Sequence, residues 1–359
     1  MLLCMRKNLL ATLLMFAWVT SLCCQTRDTE AQIKAKCEQY LKIPLPEEAS
    51  LVAAPKNWPE CNSYKLYSGI GTKVDFAATR KCAWAERSAY QADVRPEGNY
   101  TIASVLGGAA MLTVLYMNGE GVKQDRQLAM RFACETGIGD HFEEMVAINA
   151  KIGPPGKKFK YCDYVVSMFE INFCVAYESE IADQKRIDAL HSMSSGWPKE
   201  QQDEFKTLMR ANEAYVVAHG RGETDLGGTI RGVRVNGVEE RLRDKFLAAL
   251  QAFESGHFPH GTAIDYKKAD AALNLLYRRA LAVAEAHKKD YEGSIQPEGI
   301  QNAEQAWLKY RDEWVIFAKL HYPSTDADAW LTLLTTNRAE SLRMTLCGIN
   351  NKDSECPQR

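Results

Sequence analysis

The residues best suited to chemistry are histidines and paired glutamates, and their spacing argues against a catalytic centre. His257 and His260 could share a metal ion, but Pro259 stands between them and no carboxylate follows nearby. Zinc needs several converging ligands, so we expect a polar loop here and no metal site. Glu143-Glu144 and Glu239-Glu240 are neighbours along expected helices, where adjacent side chains do not face each other. The His-Glu-x-x-His and Gly-x-Ser-x-Gly motifs are also absent, so the sequence predicts no enzyme and no cofactor.

A second group of residues is suited to binding. Trp307, Tyr310, Arg311 and Trp314 recur at helical spacing and would share one helix face. The simplest interpretation is a core that packs against Leu273, Tyr277 and Leu334, because large aromatics on amphipathic helices usually face inward. The alternative is a partly open aromatic and arginine patch that docks on another protein, since these residue types dominate binding hot spots.

An arginine within an aromatic stripe needs a partner. We expect Arg311 to pair with Asp270, or else with Glu340. The hypothetical binding residues are therefore Asp270, Asn274, Tyr277, Trp307, Tyr310, Arg311 and Arg338.

Length and charge narrow the class of protein. The chain has 359 residues, enough for two or three domains, and a net charge of −2. A nucleic-acid-binding protein would carry a basic stripe, so a protein partner is favoured and nucleic acid is not.

The first 24 residues resemble a secretory signal peptide in their organisation. Arg6 and Lys7 precede the apolar run LLATLLMFAWV, and small and polar residues follow. The run is too short for a transmembrane span, and no other segment is apolar enough for one. Lipid attachment at Cys23 or Cys24 is the less favoured alternative, because neither cysteine follows a small residue of the kind that a lipobox requires.

The chain has eleven cysteines, and eight remain when Cys4, Cys23 and Cys24 of the signal peptide are set aside. Because an exported protein enters an oxidising compartment, this even number indicates disulfides. Spacing suggests the pairs Cys162–Cys174 and Cys347–Cys356 as short bridges. It suggests Cys37–Cys61 and Cys82–Cys134 as longer ones, although eight cysteines allow 105 pairings.

Helical periodicity dominates the rest of the chain, and one helix-turn-helix pattern occurs twice. Gly119, Gly121 and Asp125 separate two apolar helices, and Gly69, Gly71 and Asp75 repeat the pattern 50 residues earlier. Glycines permit a tight turn, and aspartate caps the next helix. The segment from Tyr116 to Ala129 resembles a Sel-one-like repeat, a relative of the tetratricopeptide repeat, which implies a short α-solenoid that binds proteins.

The C-terminal part resembles the LprI-type lysozyme-inhibitor-like domain. The similarity lies in three blocks: Ala269-Asp270-x-x-Leu273-Asn274-x-x-Tyr277, Ala303-x-x-Ala306-Trp307-Leu308-x-Tyr310-Arg311-Asp312 and Leu334-Thr335-x-x-Arg338-x-x-x-Leu342. The family often has glutamine where Glu304 stands, and a cysteine pair that this chain lacks. The resemblance implies a small helical module of the bacterial cell envelope.

These observations predict an all-α protein in which a short α-solenoid-like region precedes a helical bundle. The expected segments are a signal peptide (1–24), a cysteine-containing loop with repeats (25–152), a helical middle region (153–260), the LprI-like three-helix module (261–346) and a disulfide-closed tail (347–359). We expect an exported periplasmic protein that binds a protein partner, as an inhibitor of a lysozyme-type muramidase or a related peptidoglycan hydrolase. The alternatives are an immunity or adaptor protein acting through its repeats and, least favoured, an enzyme acting on cell-wall material.

Overall fold

A computed structural model describes residues 30–51, 56–94, 100–136, 158–165, 167–350 and 356. Within these residues all regular structure is helical and no strand occurs, which confirms the all-α prediction. They fall into two compact units. The first comprises residues 30–69 and 73–165, and the second comprises residues 70–72 and 167–350 with 356.

The first unit contains six described α-helices and two short 3-10 turns. The turns are Glu47–Leu51 and Tyr161–Tyr164, and the helices are α1 (Glu30–Tyr40), α2 (Ser63–Ser68), α3 (Phe76–Gln91), α4 (Ile102–Leu106), α5 (Ala109–Asn118) and α6 (Arg126–Glu135).

The predicted repeat turn occurs twice with the same geometry. Gly69 ends α2 and Gly119 ends α5, both in the left-handed conformation, with φ of 74° and 71°. Asp75 and Asp125 then begin α3 and α6, and each side chain accepts hydrogen bonds from the first turn of its helix. The local prediction is confirmed, whereas the Sel-one-like family assignment stays a prediction.

Two predicted disulfides of this unit are wrong. Cys37 is bonded to Cys134, and Cys61 to Cys82, so the proline-rich segment between Cys37 and Cys61 is not closed by those two cysteines. Packing explains the difference, because α1 lies against α6 and this brings together cysteines 97 residues apart. Sequence spacing carries no information about such a contact.

A buried carboxylate joins two helix starts in the first unit. Glu86 on α3 is fully buried. It accepts hydrogen bonds from the Ser63 backbone N–H (3.0 Å) and hydroxyl (2.5 Å), and from the Gly108 backbone N–H (2.8 Å). Burial raises the pKa of Glu86 to about 7, although these hydrogen bonds favour the ionised form.

The described residues of the second unit form six long helices. They are α7 (Met168–Ser194), α8 (Lys199–Gly222), α9 (Arg231–Glu254), α10 (Ala263–His287), α11 (Pro297–His321) and α12 (Ala327–Ile349). The closest helix pairs are α8 with α11 and α10 with α12. The Cys347–Cys356 bridge at the end of α12 confirms its prediction. Cys162 and Cys174 are both disulfide-bonded, and their pairing with each other stays a prediction.

The aromatic stripe of α11 forms the core of this unit, as the simpler interpretation predicted. Trp314 lies in one cluster with Leu334, and Trp307 lies in another with Leu273 and Tyr277. Trp314 stacks on Trp330 of α12 with ring centroids 5.8 Å apart. The first cluster also includes side chains of α8 and α9, so α10–α12 share their core with the preceding helices.

The loop between α8 and α9 is shorter than the glycine-rich stretch in which it lies. Glycines occur from Gly220 to Gly237, but α8 extends to Gly222 and α9 begins at Arg231. A Cβ on Gly222 would lie 2.8 Å from the backbone carbonyl carbon of Gly299. The glycine is therefore used for the close approach of α8 and α11 rather than for a turn.

No helix in the described ranges is long and apolar enough to cross a membrane. Several sequence predictions lie outside the described residues: the signal peptide, the lipid-attachment alternative at Cys23 and Cys24, and the pair Glu143-Glu144. The predicted boundary between residues 152 and 153 lies there too.

Candidate functional site: paired loops above a buried arginine

Arg338 of α12 is a charged side chain in the interior of the second unit. Its side chain has no exposed surface. The guanidinium donates two hydrogen bonds to the Glu223 carboxylate, at 2.9 and 2.5 Å, and one to Glu304 at 2.9 Å. It also lies over the Tyr215 ring, 5.7 Å from the centroid. This bidentate geometry suits arginine and not lysine.

Glu223 is the acceptor at the centre of this cluster. Besides Arg338, the carboxylate contacts His219 Nδ1 at 2.8 Å and accepts a hydrogen bond from the Thr345 hydroxyl at 3.1 Å. Burial disfavours its charge, but Arg338 and His219 outweigh that effect and lower the pKa of Glu223 to about 2. Burial raises the pKa of Glu304, and Arg338 only partly offsets this. The cluster is therefore centred on the ion pair of Arg338 and Glu223, and neither side chain is accessible to water.

Glu223 also begins a loop. Residues 223–230 connect α8 to α9, and residues 288–296 connect α10 to α11. The two segments, which we call the paired loops, meet where the Leu226 N–H donates to the Gly293 carbonyl at 2.8 Å. Arg338 thus holds Glu223, the first residue of the paired loops. The close contact between Gly222 and Gly299 lies where the helices that carry the two loops meet.

Glycines allow the paired loops to pack closely. Gly293 has a φ of +92°, and a Cβ there would lie 2.5 Å from the Leu226 carbonyl carbon. A Cβ on Gly227 would lie 2.8 Å from the Tyr291 ring. Position 293 therefore requires glycine for its backbone conformation and its backbone contact, whereas a side chain at position 227 would displace the Tyr291 ring.

Side-chain hydrogen bonds order the loops further. Arg234 donates to the Asp225 carboxylate at 3.0 Å and to the Gly227 carbonyl at 3.1 Å. The Gln296 amide donates to the carbonyls of Lys288 (3.1 Å) and Ser294 (2.9 Å). These bonds hold both segments in one conformation.

The outer surface of the paired loops carries an aromatic side chain and unpaired charges. Tyr291 is 51% exposed and Ile230 is 39% exposed, and burial together with the Asp225 carboxylate raises the pKa of Tyr291. Arg231, the first residue of α9, and Lys289 are exposed, and neither has an ion-pair partner within the described residues.

The structure separates the seven hypothetical binding residues. Trp307 and Arg338 are 2% and 1% exposed, which places them in the interior. Tyr277 and Tyr310 are partly buried against the core. Asn274 is exposed and Asp270 is half-buried, and the Asn274 amide donates to the Asp270 carboxylate at 3.0 Å.

The expected partner of Arg311 is wrong. Arg311 donates to the adjacent Asp312 at 2.9 and 2.7 Å and stacks on Trp307, 5.4 Å from the ring centroid. Glu340, the second choice, pairs instead with Arg343 at 2.6 Å. An arginine at the core's edge reaches solvent and an adjacent carboxylate, so it needs no distant partner.

Sequence reasoning missed Glu223 and Tyr291. Glu223 is 115 residues from Arg338, so no local spacing links them. One signal was present, because an arginine within an apolar helix stripe requires a buried acid. The acid could not be chosen from sequence, since several helices contribute candidates.

Together these features define an all-α protein whose second unit presents an ordered surface loop pair on a buried ion cluster. Residues 262–342 match the sequence model of a protein family described as "Lysozyme inhibitor LprI", which confirms the predicted C-terminal resemblance. The match spans α10 and α11 and reaches Leu342 in α12. No curated protein and no solved structure matches the chain.

Proposed function

We propose that this chain is an exported binding protein that inhibits a lysozyme-type muramidase or a related peptidoglycan hydrolase. The single observation that carries the proposal is the family match over residues 262–342. The family's description names an inhibitor, and inhibition by contact requires no catalytic group. The chain would therefore act by occupying the enzyme's surface.

Two features of the structure support the proposal. The disulfides suit an oxidising compartment, where muramidases also act. The second unit is held together by a continuous aromatic core, so it can present surface loops on a rigid base.

The test is direct binding and inhibition. The chain without residues 1–24 would be added to a c-type lysozyme and to other muramidases during lysis of a peptidoglycan suspension, and titration calorimetry would give the affinity. We expect saturable inhibition with a fixed stoichiometry for at least one enzyme. If no muramidase binds, and a different envelope protein is retained by the immobilised chain, the adaptor alternative would replace this proposal.

A further inference from the structure

We propose that the paired loops, residues 223–230 and 288–296, enter the substrate cleft of the muramidase and occlude it. This inference rests on the proposed function and identifies the surface that performs it. Muramidase substrates are polysaccharides, and glycosidase clefts place two carboxylates on either side of the scissile bond. The complementary element is an ordered surface segment that carries an aromatic group and cations.

The order of the paired loops is the first argument. A loop that is already fixed loses little conformational entropy on binding, which strengthens the affinity. Here the Leu226–Gly293 hydrogen bond joins the segments, and Arg234 fixes the turn at Asp225 and Gly227. In the interior, the ion pair with Arg338 holds Glu223, the first residue of the paired loops. Arg338 is therefore a positioning residue that acts through Glu223.

The exposed chemistry is the second argument. Tyr291 presents a ring that is 51% exposed. Tyrosine is among the side chains that most often dominate binding energy. Its ring packs closely against Gly227, so one ring face is covered by the loop.

The charges are the third argument. Of the acids on the paired loops, Asp225 is neutralised by Arg234 at 3.0 Å, whereas Asp290 lies 2.7 Å from His287, which offsets its charge only when the imidazole is protonated. Lys289 and Arg231 are exposed, and neither forms an ion pair within the described part of the chain. Glu292 is exposed as well, so these groups carry an excess of one positive charge when His287 is protonated. This excess complements an acidic cleft.

The experiment compares two variants of the paired loops with two matched controls. Tyr291→Ala removes the ring, and its control is Tyr100→Ala in the first unit, where the tyrosine is equally exposed at 51%. Lys289→Glu reverses a charge at one end of α10, and its control is Lys267→Glu near the other end, where the lysine is also exposed.

Each variant of the mature chain would be titrated against the muramidase that the wild-type chain inhibits. We expect Tyr291→Ala to raise the inhibition constant by about 30-fold, the loss typical of a hot-spot side chain. We expect Lys289→Glu to raise it by about tenfold, with an effect that shrinks at high salt. Both controls should stay within a factor of about two of the wild type. An N-acetylglucosamine oligomer that fills the cleft should compete with the chain for the enzyme.

The outcomes separate this inference from the proposed function. If the wild-type chain inhibits no muramidase, the proposed function fails. If it inhibits, but both variants of the paired loops match their controls or the oligomer does not compete, the function stands and the assignment of the paired loops is overturned. Circular dichroism of each variant verifies folding, and a folded Tyr291→Phe variant that keeps most of the inhibition supports a role for the ring.

Discussion

Replacing Arg338 with glutamine should destabilise the second unit far more than replacing a surface arginine on the same helix. Arg338→Gln leaves the Glu223 carboxylate, whose side chain is fully buried, without its bidentate partner. The matched control is Arg343→Gln. It removes a pair with Glu340 in which the two side chains are 25% and 56% exposed. Both substitutions remove an arginine of α12 that pairs with glutamate, but Arg338 binds Glu223 and Glu304 in the interior, whereas Arg343 binds one exposed glutamate of its own helix.

The magnitudes follow from that difference. Removing one partner of a buried ion pair costs about 3–5 kcal/mol, because the remaining charge has lost its main counter-ion and has no access to water. Removing an exposed pair costs about 0–1 kcal/mol. Arg338 also donates to Glu304 at 2.9 Å, so Arg338→Gln leaves a second carboxylate less well compensated and should fall near the upper end of its range.

Urea unfolding of the full mature chain, followed by tryptophan fluorescence, measures both effects. The buried Trp314 and Trp330 report on this unit. The cost of Arg338→Gln should also be smaller at pH 5 than at pH 8, because an unpaired buried Glu223 can then bind a proton. Equal destabilisation by Arg338→Gln and Arg343→Gln would refute the assignment of the cluster as the anchor of the paired loops.

Three further predictions concern other parts of the chain. The folded-state pKa of Glu86 is raised to about 7. The first unit should therefore lose up to about 3 kcal/mol of stability as the pH rises from near 4.5 through 7. Urea unfolding at a series of pH values should show this loss of stability in the wild type and not in Glu86→Gln. Gly293→Ala should cost roughly 1–3 kcal/mol because of its positive φ and its contact with Leu226; calorimetry showing unchanged stability would contradict that packing. Replacing Cys37 and Cys134 with serine should lower the free energy of unfolding by about 3–5 kcal/mol, since the bridge closes a long loop. An unfolding temperature equal to that of the wild type would show that the bridge does not form.

Local features of this fold were predictable because short-range physics determines them. The two turns with paired left-handed glycines and capping aspartates follow from conformational preference. The buried stripe on α11 follows from helical periodicity, which identifies Trp307 and Trp314 as core.

Features that depend on distant contacts were not predictable in the same way. The pairing of Cys37 with Cys134 requires the packing of α1 on α6. The partner of Arg338 lies in a stretch whose glycines suggested only a loop. In the matched family segment the motif shows that an arginine is present, but Glu223, the fully buried acid that binds it in bidentate geometry, lies outside that segment. The buried ion cluster therefore depends on contacts with residues outside the family motif, which the motif alone cannot predict.

Amide hydrogen exchange on the complex with a muramidase tests the central claim most directly, because it locates the contact on this chain without any substitution. The account predicts that binding slows exchange in residues 223–232 and 288–296, and that added N-acetylglucosamine oligomer reverses the slowing. Slowed exchange confined to other helices, with those two segments unchanged, would contradict it.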